Sequence, residues 1–220
     1  MATPPPDGQG TDPSQAIRRP FGTGRPVSLF TLGTMRALQS PAAMEAVLAK
    51  AVAIGINHLE TAPAYGPAET YLGAALASLS RDQSEQRADL VITSKLLPTF
   101  EVAEAWSHLQ GSLQRLGIDR LDNLALHGLN TEEHLHWALN GPGADLCARA
   151  LGEGLVEQVG FSSHGSNSLI ARALESGRFR FCSLHLHLFD PSRLPLAQQA
   201  LEAGLGVCLL YTSPSPRDRG

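Results

Sequence analysis

From Val27 onward the chain alternates two kinds of segment, and this alternation is the feature that most limits how it can fold. Short apolar runs of strand length are separated by longer stretches whose apolar residues recur at helical spacing. The runs predicted as strands are residues 27–32, 57–61, 90–94, 123–126, 156–162, 181–186 and Gly206–Leu210. Because strands that alternate with helices build a parallel sheet, we expect an α/β fold.

Helix signals lie between the predicted strands. A helix over residues 42–54 is indicated by Ser40, a good N-cap, and by Pro41, which suits a first turn. Residues 101–116 form an amphipathic pattern, and residues 194–203 are the last predicted helix. The chain therefore predicts repeated βα units.

The apolar runs suit either a closed barrel or the centre of a doubly wound sheet, and pattern alone leaves both open. A dinucleotide-binding sheet should carry a GxGxxG sequence directly after its first strand. Here Gly22-Thr23-Gly24 precedes Val27, in a context that fits a hairpin turn. This position counts against the doubly wound alternative.

Length and charge narrow the class of protein. The 220 residues fit one domain, and 17 basic and 21 acidic residues are scattered without a basic stripe, which argues against a nucleic-acid partner. No apolar run approaches the roughly 20 residues that span a bilayer, and no signal peptide is evident at the start, so we expect a cytoplasmic protein without membrane contact. Cys147, Cys182 and Cys208 form no CxxC pair, and we expect buried free thiols.

Chemically useful side chains stand where predicted strands end. Glu60 lies at the end of the second run and Tyr65 follows it, Lys95 comes directly after the third run, and His127 comes directly after the fourth. The carboxyl ends of barrel strands share one rim, where catalytic groups lie. We therefore expect these four side chains to converge there.

Each of these residues alone is more often structural, but the set suggests a reaction. A lysine cation beside Tyr65 favours loss of the phenol proton, and Glu60 would hold that lysine in place. The tyrosine then becomes a general acid near neutral pH, while His127 orients a carbonyl oxygen. The natural reaction of such a set is carbonyl reduction.

The segments that contain these residues resemble the aldo-keto reductases. They are residues 32–35 (LGTM), 60–69 (ETAPAYGPAE), 72–73 (LG), 92–95 (ITSK), 121–127 (LDNLALH) and 159–162 (VGFS). Each is weak alone, but their order and spacing from about residue 17 to residue 207 make the resemblance specific.

The resemblance implies a TIM (β/α)8 barrel that transfers hydride between NADPH and an aldehyde or ketone. Tyr65 would be the acid, assisted by Lys95, His127 and Glu60. The residues implied in cofactor binding are Gly33, Thr34, Met35, Ser162, Ser163 and Ser183.

This sequence departs from the family pattern in two respects. Glu60 stands where the family usually has aspartate, so its longer side chain must be re-aimed at Lys95. Ser163 and Ser183 stand where asparagine or glutamine is usual. We expect modified rather than absent chemistry.

Two other functions remain open. His185 and His187 form an HxH pair that would suit a metal-dependent hydrolase, although the further ligands of such a site are missing from the sequence. A non-catalytic, NADP-binding or regulatory barrel module is the second alternative. The segments 161–165 and 183–189 also resemble a bacterial branch of the family that often carries a C-terminal iron–sulfur segment. No cluster-binding run of cysteines is present in this sequence, so a cluster could only be bound by a missing C-terminal segment.

The two ends of the chain are predicted to differ in character from the barrel. Residues 1–15 are rich in Pro, Gly, Ser and Thr and are expected to be disordered. Residues 208–220 resemble a translated sequencing adapter, so residues 16–207 are expected to form a barrel truncated after about seven strands. Because the loops after the last two strands usually grip phosphates, we expect weak NADPH binding and an inactive fragment.

Overall fold

The computed structural model describes residues 17–36, 39–82, 84–98 and 101–210, and its centre is a parallel sheet of seven strands. The strands of the described residues are β1 (Arg18–Arg19), β2 (Val27–Ser28), β3 (Thr31–Gly33), β4 (His58–Glu60), β5 (Val91–Leu96), β6 (Leu121–His127), β7 (Val156–Ser163), β8 (Phe181–His185) and β9 (Gly206–Leu210). Strands β3 to β9 lie side by side in chain order, and each pairs in parallel with the next. The predicted α/β barrel with about seven strands is confirmed.

Helices follow the strands along the chain. They are α1 (Pro41–Ala53), α2 (Ala68–Asp82), α3 (Ser84–Asp89), α4 (Val102–Leu116), α5 (Glu132–Leu139), α6 (Pro142–Gly152), α7 (Asn167–Glu175) and α8 (Leu194–Glu202), with a 3-10 turn at Pro63–Tyr65. The Ser40 hydroxyl accepts from the backbone N–H of Ala43, which confirms the predicted cap. Within the described part of the chain, no helix combines the length and apolar character that a bilayer crossing requires.

Two hydrophobic clusters show that the sheet is rolled into a barrel. The larger cluster lies between strands and helices and includes Ile92, Leu96 and Phe161. The smaller lies inside the barrel and includes Val91 and Phe181. Successive side chains of a strand point to opposite faces, so alternate residues supply the two clusters.

The first predicted strand, residues 27–32, is wrong as one element. It is split into β2, which pairs antiparallel with β1, and β3, which begins the barrel. The Ser28 hydroxyl donates to the carbonyl of Phe30, and this local bond turns the chain so that Leu29 and Phe30 are exposed. Residues 27–32 contain no glycine or proline that would indicate such a bend in the sequence.

The hairpin predicted at Gly22-Thr23-Gly24 is confirmed, and it covers the amino-terminal ends of the barrel strands. Gly22 has φ +59°, and a Cβ there would lie 2.2 Å from the Arg180 carbonyl oxygen. Gln158 of β7 holds the turn, since its Oε1 accepts from the N–H groups of Thr23 and Gly24. Residues far apart in sequence thus close the barrel floor.

A chain of hydrogen bonds crosses the interior one layer below the carboxyl rim. Gln158 Nε2 donates to Asn123 Oδ1 at 2.7 Å, and Asn123 Nδ2 donates to Thr93 Oγ1 at 2.9 Å. His58 continues the chain, with Nε2 2.8 Å from Thr93 Oγ1 and Nδ1 2.9 Å from Thr31 Oγ1. The Thr93 hydroxyl accepts from the Asn123 amide, and it can either donate to His58 Nε2 or accept from it, according to the tautomer of the imidazole.

The ends of the chain are only partly covered by these ranges. The expected disorder of residues 1–15 and most of the expected adapter-derived tail, residues 211–220, lie outside the described residues. Cys208 and Leu210 belong to β9. No disulfide joins the three cysteines, and Cys182 is buried as expected, whereas Cys147 and Cys208 are only partly buried.

The buried His58 predicts acid sensitivity. Burial lowers its pKa to about 4, partly opposed by Asp122, whereas an unfolded histidine titrates near 6.5. Between these values only the unfolded chain takes up this proton, so stability is lost as pH falls through this window. We expect His58 to account for a loss of about 2 kcal/mol in unfolding free energy between pH 7 and pH 5.

The measurement is urea unfolding of the wild type and His58→Gln at both pH values. The glutamine side chain does not titrate, and it offers one acceptor and one donor group for hydrogen bonds to the hydroxyls of Thr93 and Thr31. Equal losses of unfolding free energy in the two proteins would contradict this role of His58.

Candidate active site

The four predicted catalytic side chains meet at the carboxyl rim of the barrel. Glu60 is the last residue of β4, Lys95 lies near the end of β5 and His127 is the last residue of β6. Tyr65 lies in the 3-10 turn that follows β4. The βα repeat thus brings together residues up to 67 positions apart (127 − 60).

Lys95 is the centre of the group. Its Nζ donates to Glu60 Oε1 at 2.7 Å and to the Tyr65 hydroxyl oxygen at 2.6 Å. Burial lowers the pKa of Lys95, but attraction to Glu60 and Tyr65 and the hydrogen bonds to both outweigh it, so the pKa lies above its ordinary value. Lys95 is therefore a cation beside the phenol at neutral pH.

His127 faces the same space as a neutral imidazole. Its ring meets Tyr65 edge-on, with the ring centroids 5.9 Å apart. Burial, followed by the charges of Lys95 and His164, lowers the pKa of His127 to about 4. A neutral imidazole has one N–H donor, which can bind a carbonyl oxygen without delivering a full charge.

A cavity of about 570 Å³ opens over this group. Glu60, Tyr65, Lys95 and His127 all line it. Of the six residues predicted to bind a cofactor, Gly33, Met35 and Ser162 also line it. The Ser162 hydroxyl accepts from the backbone N–H of Gly128.

The other three predicted cofactor residues do not line this cavity. The Ser163 hydroxyl donates to the Leu129 carbonyl, on the outer side of β7, because neighbouring residues of a strand face opposite ways. Ser183 is 1% exposed. Thr34 is fully buried, and its hydroxyl has no partner among the described atoms. Their proposed cofactor contacts therefore remain predictions.

Sequence reasoning missed residues that share the cavity. His164 lines it directly after β7, with its backbone N–H donating to Asn130 Oδ1 at 2.7 Å and its carbonyl accepting from Arg193 at 3.1 Å. Asn130 and Arg36 also line the cavity. The position of His164 at a strand end was the available signal, but its long-range partners could not be read from the sequence.

The HxH pair does not form a metal site in the described structure. His185 ends β8, and His187 lies in the following segment, where their rings meet edge-on at 5.0 Å. Among the described residues, no group of three or more His, Cys, Asp or Glu side chains is placed to hold a metal ion.

A second, smaller cavity adjoins the first at Lys95, Leu97 and His127. Its volume is about 200 Å³, and its wall is mainly apolar. The other lining residues are Pro63, Ala64, Leu96 and His108. Lys95 and His127 therefore lie where the two cavities meet.

A parallel α/β barrel with a lysine-linked tyrosine and a neutral histidine at its carboxyl rim defines the class of protein. This chain belongs to the aldo/keto reductase family, whose model matches residues 29–191. The match contains all four predicted catalytic residues, Glu60, Tyr65, Lys95 and His127.

Individual relatives agree with this assignment. Aldose reductase of Encephalitozoon cuniculi is 34% identical over 107 residues, which are 49% of this chain and 35% of that protein, so the match spans about a third of that relative. The structure of a protein assigned to the aldo-keto reductases in Pseudomonas aeruginosa superposes with a TM-score of 0.78 at 27% identity, covering 96% of this chain and 84% of the other. A Bombyx mori aldo-keto reductase in complex with NADP has the same fold, with a TM-score of 0.71 at 21% identity over 92% and 72% of the two chains.

The buried Glu60–Lys95 ion pair predicts that substitutions at these two positions have strongly coupled effects on the free energy of unfolding. Both side chains are at least 90% buried, at 9% and 2% exposed, and removing one partner leaves the other as an unpaired buried charge. We expect Glu60→Gln and Lys95→Met each to lower the free energy of unfolding by about 3–5 kcal/mol.

The double variant carries neither charge, so it should lose less than the sum of the two single losses. Urea unfolding of all four proteins measures the coupling. Simple additivity would show that the two charges do not depend on one another.

Proposed function

We propose that this protein is an oxidoreductase that transfers hydride between NADPH and an aldehyde or ketone, with Tyr65 as general acid. The observation that carries the proposal is the 2.6 Å bond from Lys95 Nζ to the Tyr65 hydroxyl, inside a cavity that His127 also lines. Membership of the aldo/keto reductase family supports it.

Tyr65 would give its proton to the carbonyl oxygen as the carbonyl carbon is reduced. The Lys95 cation stabilises the phenolate that remains, because an ammonium beside a phenolate lowers its energy where water is scarce. Glu60 balances the lysine charge and holds Nζ in place. Glutamate therefore serves the role that aspartate usually has, since its carboxylate reaches Nζ at 2.7 Å.

His127 would hold the carbonyl oxygen near the Tyr65 hydroxyl. Its lowered pKa keeps the ring neutral above about pH 4, so its N–H donates a hydrogen bond while the proton comes from tyrosine. Positioning of this kind reduces the entropy that the reactants lose on reaching the reactive geometry. The two groups thus have separate tasks.

The cavity fits a nicotinamide cofactor at its open side. A Cβ at Gly33 would meet no atom of the described residues within 4 Å, so the backbone there is open to a ligand, and the Ser162 hydroxyl offers a polar contact. Gly33, Met35 and Ser162 would hold the group, and Thr34, Ser163 and Ser183 are the further residues that the family resemblance implies. The bound cofactor would supply the hydride.

Tyr65→Phe tests the proposal. Removal of the phenolic proton should lower kcat for NADPH-dependent carbonyl reduction by about 10²–10⁴-fold, the usual contribution of a general acid, while cofactor binding persists. Tyr71→Phe is the matched control, because Tyr71 packs against the hydrophobic core outside the cavity. The measurements are the absorbance of reduced nicotinamide during turnover and a separate titration of cofactor binding.

The sequence predicts weak NADPH binding. The cofactor titration therefore sets the concentrations at which turnover of the wild type and the variants is compared at equal cofactor occupancy. Full activity in Tyr65→Phe would refute the role of tyrosine. Cofactor binding without turnover on any aldehyde or ketone would favour the non-catalytic NADP-binding module.

The smaller cavity supports a substrate with one compact apolar group beside its carbonyl. An apolar protein cavity of about 150 Å³ can hold benzene, so a space of about 200 Å³ suits a single ring or a short alkyl chain. Its junction with Lys95 and His127 would place the carbonyl at the reactive groups. We therefore propose benzaldehyde as a suitable test substrate.

Ala64→Phe should reduce this preference, because Ala64 lines only the smaller of these two cavities and a ring there competes for the space. We expect the ratio of kcat/KM for benzaldehyde to that for propanal to fall about tenfold or more. Ala42→Phe, at an exposed position on α1, is the control for added surface area. An unchanged ratio in Ala64→Phe would exclude this cavity as the substituent site.

A further inference from the structure

One part of the family-like sequence has no role in the chemistry described above. Glu69 and Gly73 lie on α2, just after Tyr65, and line neither of the two cavities at the site. Glu69 is nevertheless 1% exposed, although a carboxylate is rarely buried without a partner. Its contacts connect two helices to the strand that carries Lys95.

Glu69 uses both carboxylate oxygens. Ser94 Oγ donates to Oε1 at 2.5 Å. Arg115 of α4 donates to Oε2 from Nε at 2.8 Å and approaches it with Nη2 at 2.7 Å. The carboxylate is therefore bound at once to β5 and to α4.

Gly73 explains how α4 comes close enough. It lies one helical turn after Glu69, and a Cβ there would be 2.1 Å from the Arg115 carbonyl oxygen and 3.0 Å from backbone atoms of Leu116. Only glycine allows the backbones of α2 and α4 to approach at this point. Glu69 and Gly73 therefore belong to one contact between α2 and α4, and Arg115 is the residue of α4 that they meet.

Ser94 and Lys95 are adjacent but face opposite sides of β5. Ile92 and Leu96 pack between the barrel and its helices, so Ser94 also faces outward, whereas Lys95 faces inward with Val91. The segment that contains Tyr65 and Glu69 is thus bound to β5 twice. Tyr65 binds Lys95 on the inner side, and Glu69 binds Ser94 on the outer side.

We propose that Glu69 is a positioning residue, which acts through its hydrogen bond from Ser94 to hold Lys95 within reach of Tyr65. The catalytic meaning of this role rests on the proposed function. The turn that carries Tyr65 has no side-chain cap, and the outer contact supplies a second fixed point only four residues away. A misplacement of about 1 Å at reacting groups can reduce a rate about 100-fold, so this contact matters for catalysis.

A purely structural ion pair between α2 and α4 is the competing explanation. It would stabilise the protein through Glu69 and Arg115 without affecting the position of Lys95. The two explanations differ in what happens when Ser94 alone is changed, because Ser94→Ala removes the bond to β5 and leaves the ion pair intact.

The chain contains only two lysines, Lys50 and Lys95, so the ammonium group of Lys95 can be observed directly by NMR on protein labelled with 15N-lysine. Lys50 is exposed near the end of α1 and provides an internal reference. We expect hydrogen exchange at the Lys95 ammonium to be slow in the wild type, because Nζ is buried and bonded to Glu60 and Tyr65. In Ser94→Ala we expect exchange about tenfold faster or more.

Ser112→Ala is the matched control. Ser112 is also buried, and its hydroxyl accepts from Arg115 at 3.3 Å, within α4. It should change exchange at Lys95 little, although it also removes a buried hydroxyl. Unchanged exchange in Ser94→Ala, or an equal increase in both variants, would overturn the positioning role.

The rate profile supplies a second readout. In Ser94→Ala the alkaline limb of kcat/KM for benzaldehyde should move to higher pH, because the cation beside the general acid is held less closely. A loss of stability alone would lower kcat/KM at every pH without moving the alkaline limb of the profile. If no carbonyl is reduced even by the wild type, the proposed function fails, whereas the NMR comparison still decides whether Glu69 positions Lys95.

Discussion

The ammonium of Lys95 is buried below the barrel rim, and a buried cation must be paired because water cannot solvate it there. Glu60 supplies the opposite charge and the Tyr65 hydroxyl supplies a second acceptor. The hydrogen bonds that stabilise the buried charge of Lys95 also define the geometry of the site. Structure and chemistry are therefore linked at one atom, Nζ of Lys95.

Side-chain hydrogen bonds in the barrel below Lys95 Nζ support the position of this atom. The hydrogen-bond chain from Gln158 to Thr31 links strands β7, β6, β5, β4 and β3 one layer below the rim. Phe21, from the hairpin, packs on Phe181 and His58 beneath that layer. A polar layer of this kind holds together only when each member has a partner, which favours one register of the strands.

The sequence predicted most of this architecture and most of the site. Six of the seven barrel strands lie near their predicted positions, because each is a compact apolar run between helical stretches. The exception was residues 27–32, where one hydroxyl bond turns the chain inside an apolar run. His164 was also missed as a cavity residue, since the groups that hold it, Asn130 and Arg193, are distant in sequence.

The sequence by itself determined that strands and helices alternate and that Glu60, Tyr65, Lys95 and His127 lie at strand ends or just after one, because periodicity and residue type are local properties. Only the tertiary structure decided which oxygen each hydrogen bond reaches. It showed that the Glu60 side chain reaches Lys95, that Ser163 faces away from the cavity and that Glu69 binds the outer side of β5. These outcomes depend on distances between neighbouring elements and on which face of a strand meets which helix, and such distances exist only after the barrel has formed.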